Sequence, residues 1–343
     1  MVRFRALEPW NDPRGGQIER VLIDNGTIAI EVLSLGGIIR SLWAPDRNDE
    51  RGNLVLGCDS VEDYLAQDAY LGAIAGRYAN RIADGQFNLG NTQHQLDTNQ
   101  GRNCLHGGRE GFHRKQWQLG TLPDGVRLSL RSPDLDMGFP GNCNVQLDYR
   151  LVGSNLYVEI LASSDKPCPI SLTQHSYFNL DASQTTLNHQ LQIDAKQYLS
   201  LNDSGIPKAI CATQNSGLDL SIPTELKSLI GCEELTATSG IDHCFLMSTT
   251  ESKLQRFGRL SSPLSGRSMT LYTNQPGVQV YGGNSLEGVV GKNQLRLNQY
   301  QGICLEPQQI PNAPNQANIA GDAIINPGEI YHHISRYQFA NDA

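Results

Sequence analysis

No apolar run in this chain is long enough to cross a bilayer, and residues 1–9 lack the apolar region of a secretion signal. Cysteine is scattered. None of the eight (Cys58, Cys104, Cys143, Cys168, Cys211, Cys232, Cys244 and Cys304) forms a Cys-x-x-Cys pair, so they read as reduced core thiols and not as a disulfide frame or zinc site. Positive charge is in deficit. The formal net charge of -8 argues against nucleic acid or an anionic membrane as the main partner, and mildly against a polyphosphate substrate. Gly-x-Gly-x-x-Gly, Walker and Gly-x-Ser-x-Gly patterns are missing from any fitting context. A soluble cytoplasmic protein without a cofactor is therefore expected.

Long helical periodicity is missing too. Ser60 followed by Asp63, and residues 223–230 before Gly231, start like short capped turns, and neither alternates with strands, so a βαβ architecture is not expected. What is present is strand after strand. Residues 20–24 and 27–32 flank Asn25-Gly26, a strong hairpin signal, and residues 86–89 and 92–96 flank Gly90-Asn91. Val145, Leu147, Tyr149 and Leu151 alternate with Gln146, Asp148 and Arg150; Leu156, Val158 and Ile160 repeat the pattern after Gly153-Ser154. With 343 residues the chain could hold one large domain or two smaller ones. No repeat, low-complexity tract or Pro/Ser linker divides it. The expectation is an all-β fold, one large antiparallel β-sandwich spanning residues 1–343, with 39% hydrophobic content sufficient for its core.

One stretch organises the chemistry. Ile303, Cys304 and Leu305 read as buried strand, Glu306 follows at once, and Pro307, Pro311 and Pro314 are expected to end the ladder there. A carboxylate at that point costs free energy unless it is paired, hydrogen-bonded or used for its proton; the plainer reading is a Glu that caps the strand and faces water. Four further stretches, and a strand around Gln279 beside them, set polar residues among apolar ones and glycines. At strand alternation Arg77 and Arg81 would share a face, either binding hydroxyls or simply solvated. Gly107-Gly108 would let His106 lie against a ligand, a structural turn histidine being the alternative. His175, between Gln174 and Ser176, precedes Tyr177-Phe178 and needs a partner if buried. Asp242 lies before an apolar strand. Gln279 sits in an alternating strand closed by Gly282-Gly283, and a buried Gln with donor and acceptor suits a sugar hydroxyl. His106, His175, Asp242, His243 and Glu306 include metal-ligand types, but no two stand at a metal-binding spacing, so no metal is expected, a dispersed site in a β-barrel being the alternative.

In order and spacing, Gly76-Arg77-Tyr78-Ala79-Asn80-Arg81-Ile82, Asn103-Cys104-Leu105-His106-Gly107-Gly108, Gln174-His175-Ser176-Tyr177-Phe178-Asn179-Leu180, Asp242-His243-Cys244-Phe245, Pro276-Gly277-Val278-Gln279-Val280-Tyr281 and Leu305-Glu306-Pro307-Gln308 resemble the motifs of the galactose mutarotases (aldose 1-epimerases). Gly138-Phe139-Pro140-Gly141 is similar to that family's loop, and the likeness runs from about Ile38 to the C-terminus. The resemblance implies a β-sandwich whose concave face holds a free aldose. It makes Glu306 the general base and His175 the general acid. His106 and Arg81 would contact the sugar near its ring oxygen and hydroxyls, and Asn80, Asp242 and Gln279 would bind hydroxyls. Gln174 stands where Asn is usual, Asn312 where Asp is usual, and Gly282 and Ser285 where a Thr and a bulky residue are frequent, positions that bear on sugar preference.

Such a reaction opens the ring and closes it on the other face of C1. A base takes the C1 hydroxyl proton while an acid protonates the ring oxygen, each worth roughly 10²–10⁴-fold when well placed. Both groups must exchange protons near neutral pH, so shifted pKa values are expected at Glu306 and His175. The partner implied is a small aldose, bound by a monomer or weak homodimer. Two rivals stand beside this reading: a non-catalytic carbohydrate-binding protein on the same fold, and a glycoside hydrolase using Glu306 and Asp242 as a carboxylate pair.

Overall fold

The computed structural model describes residues 2–247, 253–316, 319, 321 and 323–341. Period-2 patterning decides its architecture. In Asn155–Ser164 every second side chain is buried, and the preceding Cys143–Val152 pairs with it antiparallel across a turn at Gly153-Ser154. These two strands lie within a nine-stranded sheet whose order runs 118–122, 125–132, 143–152, 155–164, 331–341, 267–273, 255–261, 190–193, 224–225. A five-stranded meander from Arg3–Asn11 to Arg51–Asn53 and a six-stranded sheet pack with it. All named ladders are antiparallel, and the helix Val61–Leu65 is only five residues long, its Ser60 cap accepting from the Asp63 N–H.

The six-stranded sheet positions everything that follows. Its order is Tyr177–Phe178, Ile303–Gln308, Gly277–Tyr281, Asp242–Leu246, Gln197–Leu201, Pro207–Ala212. Cross-strand partners share a face, and neighbours along a strand do not. Phe178 with Ile303, Leu305 with Val280, and Val278 with Phe245 therefore project into the main core. The opposite face carries Tyr177, Cys304, Tyr281 and Asp242 in one row, and Glu306, Gln279 and Cys244 in the next. One face is oil and the other is chemistry.

Two expectations need correction. The strand bearing Glu306 does not stop there but runs to Gln308, with Val278 opposite Pro307 and Gly277 opposite Gln308. The reason is parity. Gln309 N–H points away from strand 277–281, to Ser171 Oγ, so the nitrogen of Pro307 two residues earlier faces the same way. On that side Tyr177–Phe178 pairs only with Cys304 and Ile303, so proline's missing donor costs no ladder bond. The first hairpin is also looser than expected. Its strands are Gln17–Asp24 and Ala29–Leu33, and a four-residue loop is held by Asn25 Oδ1, which accepts from the N–H groups of Thr27 and Ile28. The second hairpin turns at Gly90-Asn91, Leu89 opposite Thr92.

Candidate active site

At the polar face of the six-stranded sheet opens a cleft of about 850 Å³, lined among others by Asn80, Arg81, His106, His175, Asp242, Gln279 and Glu306. Three of these come straight from strand pairing. Glu306 stands opposite Gln279 in the ladder, and Gln279 Nε2 donates to Asp242 Oδ1 at 2.6 Å from the next strand. Arg81 approaches the other oxygen of Asp242 at 3.7 Å and donates from Nε to Gln100 Oε1 at 2.7 Å.

Arg81 and His106 are set by a small interlock. Leu105 pairs with Arg81 in a two-stranded ladder. Asn80, with φ +64°, gives its backbone N–H to His106 Nδ1 at 3.2 Å, and the His106 N–H returns to the Asn80 carbonyl. Gly107 follows with φ +87°, and a Cβ there would lie 2.0 Å from the Gly76 carbonyl oxygen, so only glycine lets the two segments come this close. Because His106 Nδ1 accepts a hydrogen bond, its proton is on Nε2, and His106 is a donor in the cleft.

Arg77 does not share a face with Arg81, contrary to the alternation expected. The positive φ of Asn80 breaks the strand between them. Arg77 is 2% exposed, and its guanidinium donates to the carbonyls of Pro133, Pro140 and Gly141 and to Ser132 Oγ, anchoring the loop around Phe139.

His175 sits where a strand is interrupted, between Thr173–Gln174 and Tyr177–Phe178. Its N–H donates to the Ala73 carbonyl and its own carbonyl accepts from Gly72. Gln174 spans the break, donating to the Gly72 carbonyl and Ser176 Oγ and accepting from Ser176 N–H. The imidazole is thereby aimed at Glu306, with Nε2 at 3.5 Å from Oε2. Both side chains are buried, and Glu306 Oε2 has no hydrogen-bond partner among the described residues.

Proximity does not make this an ion pair. Burial pushes Glu306 well above the usual carboxylate range, the nearby Asp242 adding to the rise and Arg81 opposing it. Burial pulls His175 down to about 4. Both directions favour the neutral forms, a carboxyl beside an uncharged imidazole. His106 is also held well below the ordinary imidazole value, by burial first and then by His175, Arg81 and His113.

His106, His175 and Glu306 bring donor atoms within 4.8 Å of one another, a set of two imidazoles and a carboxylate that suits a divalent transition metal. The hydrogen bonding does not fit that use. A ligating imidazole donates its other N–H outward, whereas His106 Nδ1 accepts from Asn80 and its Nε2 keeps the proton. Two donors remain, too few for a closed or catalytic ion site.

Three aromatic residues of the cleft escaped sequence reading. Tyr281 follows Gln279 by two and Tyr177 pairs with Cys304, so strand parity could have found both. Tyr70 carried no signal. It lies in a turn with φ +55°, and its ring centroid is 4.6 Å from that of His106, 4.5 Å from His113 and 5.8 Å from His175. Of the family departures, Ser285 lines the cleft, whereas Asn312 does not and instead accepts from Ala83 N–H and donates its own N–H to the Arg81 carbonyl.

The family model described as aldose 1-epimerase matches residues 19–338. Galactose mutarotase of Mus musculus is 36% identical over 331 residues, covering 95% of each chain. Aldose 1-epimerase of Escherichia coli K12 is 34% identical over 332 residues, covering 94% of this chain and 96% of its own. The crystal structure of an aldose epimerase homologue from C. elegans superposes with a TM-score of 0.86 at 27% identity, covering 93% of this chain and 97% of that one. The chain belongs to the aldose 1-epimerase family.

Proposed function

We propose that this protein interconverts the α and β anomers of free aldohexoses such as galactose and glucose, with Glu306 and His175 exchanging the protons. The observation that carries the assignment is the 3.5 Å approach of His175 Nε2 to an unpartnered, buried Glu306 oxygen on the cleft floor. Glu306 takes the C1 hydroxyl proton, C1 becomes an aldehyde, the bond from C1 to the ring oxygen breaks, and that oxygen receives a proton from His175. Rotation about C1–C2 and the reverse transfers give the other anomer.

The proton count fits. Carboxylate with imidazolium, and carboxyl with imidazole, hold the same single proton. Ring opening starts from the first form and ends in the second, which is also the form that burial favours in the site without sugar. Sugar hydroxyls that donate to Glu306 stabilise its ionised form and move the proton to His175. Arg81, Asp242 and Gln279 form a linked polar row beside the carboxyl, and His106 offers an N–H, a set suited to fixing hydroxyls and the ring oxygen.

A glycosidase would need a second carboxylate free for acid–base work. Asp242 is committed, one oxygen to Gln279 and the other facing Arg81. We read residues 1–343 as one domain, because the late strand Tyr331–Asn341 lies between Asn155–Ser164 and Arg267–Thr273 in the largest sheet. Polarimetry tests the function. Freshly dissolved α-galactose and α-glucose should reach their equilibrium rotation faster with the protein than without, and a chelator should change nothing. A rate equal to that of buffer would leave a sugar-binding protein.

A further inference from the structure

A neutral imidazole carries its proton on one nitrogen or the other, and only one choice suits proton exchange at Nε2. The Nδ1 atom of His175 lies 3.5 Å from Cys304 Sγ, both side chains being buried. Cys304 precedes Glu306 by two residues on the strand Ile303–Gln308, so the two project from the same face. A single strand thus presents a carboxyl to one nitrogen of His175 and a sulfur to the other. We propose that Cys304 is a positioning residue: its sulfur accepts the Nδ1–H of His175 and so reserves Nε2 for proton exchange with Glu306 and the sugar. This rests on reading Glu306 and His175 as the proton-transfer pair.

A thiol differs from the carboxylate that orients the histidine of a Ser-His-Asp triad. There the negative charge stabilises the imidazolium. Burial drives Cys304 well above the usual thiol range, so it stays uncharged, and its sulfur is a weak acceptor. It can fix the tautomer without making His175 a strong base. The other titratable groups around this imidazole do not supply an anion to Nδ1. Tyr70 and Tyr177 are kept as phenols by burial, His106 and His113 are kept neutral, and Glu306 faces Nε2.

The test reads the tautomer directly. Nitrogen-15 NMR of the full-length protein labelled at histidine should show His175 with Nδ1 protonated and Nε2 bare. In Cys304→Val, which fills the space without an acceptor, the two nitrogens should move towards each other as both tautomers are populated. The polarimetric kcat should fall about tenfold with KM within about twofold, the pattern of a lost transition-state arrangement. Cys304→Ser, which keeps an acceptor, should restore the wild-type tautomer in part and shift the pH profile back towards wild type; Cys304→Ala serves should the valine variant not fold. An unchanged His175 tautomer in the variants lacking an acceptor overturns the proposal, even where activity falls, because packing alone would then explain the loss. Wild-type protein that leaves α-galactose at the solvent rate overturns the functional reading instead, and the nitrogen shifts still decide the role of Cys304.

Discussion

Two buried glutamates of this chain meet opposite treatment. Glu31, in the five-stranded meander, is 3% exposed and both its oxygens are bound: Oε1 by Arg20 at 2.7 Å and 3.1 Å, Oε2 by Arg40 at 2.8 Å. Arg40 is held in turn by Asp59 Oδ1 and the Cys58 carbonyl, and Arg20 lies 4.3 Å over the Trp10 ring. Glu306 is 2% exposed, has an imidazole at 3.5 Å with no guanidinium bound to it, and leaves an oxygen without a partner among the described residues. A saturated carboxylate holds its partners in place and serves the fold. An unsaturated one beside a neutral base has a proton to move and serves chemistry. Burial alone does not distinguish them; the partners do.

The contrast is broken most severely at the cleft. Glu306→Gln keeps shape and hydrogen bonding but cannot take a proton, so kcat should fall roughly 10²–10⁴-fold while sugar still binds. His175→Asn should do comparable damage. The double variant should lose far less than the product of the two, since residues acting as a unit are not additive. Calorimetric titration with galactose checks binding, and losses that simply multiply would end the paired mechanism. No partner is orphaned in Glu306→Gln, so the change in its stability follows the proton of the buried carboxyl and therefore depends on pH.

At Glu31 the same substitution should do the reverse. Glu31→Gln leaves Arg20 partly buried with no carboxylate among the described residues and Arg40 with Asp59 alone, and removing one member of such a cluster costs about 3–5 kcal/mol. Urea denaturation should show that loss, while turnover per folded molecule stays near wild type. Reduced turnover without lost stability would mean that the meander, too, carries function.

How far these sites could be read from sequence follows from what each depends on. Strand period is local, so Val145 to Ile160 and the turn at Gly90-Asn91 were legible as a hairpin pattern. The side of a strand on which proline's nitrogen falls depends on a neighbour far along the chain, here Tyr177–Phe178, and Pro307 was accordingly misjudged as a terminator. Arg77 and Arg81 look alike four residues apart. Only the left-handed turn at Asn80 sends one to the Phe139 loop and the other to the cleft. The seven site residues came forward as a set through the family resemblance, which spacing alone could not have supplied. Tyr70 and the sulfur of Cys304 are visible only in three dimensions.

A milder break falls on Arg81, which approaches Asp242 at 3.7 Å and lines the same cleft as Glu306. Arg81→Met should lower kcat/KM by about 1–3 kcal/mol of transition-state binding, shared between KM and kcat, since a hydrogen bond from a charged donor to a hydroxyl is of that size. It should also push the Glu306 carboxyl further up, because Arg81 is the charge that opposes the rise. Steady-state kinetics across pH read both effects. An unchanged kcat/KM would remove Arg81 from the site.

The gentlest probe uses pH on the folded protein without substrate. Burial raises Glu306 above its unfolded value of 4.5, so above that pH the unfolded chain is ionised at this position while the folded chain keeps its proton. The folded state then binds more protons, and stability falls as pH rises towards the folded value, by at most about 1.4 kcal/mol per pH unit. His175 and the buried His333, both pulled to about 4, act in the opposite sense and in a different window. Their stabilisation is complete above the unfolded value of 6.5 and is lost as pH drops towards 4. Between pH 6.5 and 8, then, the histidines are level and Glu306 alone of these three groups slopes. Urea unfolding of wild type and Glu306→Gln at pH 6.5, 7.2 and 8 should give curves that diverge, the variant gaining on wild type at each step. Parallel curves would show that Glu306 is ionised in the folded protein. The contrast with Glu31 would then lie in its partners and not in its charge.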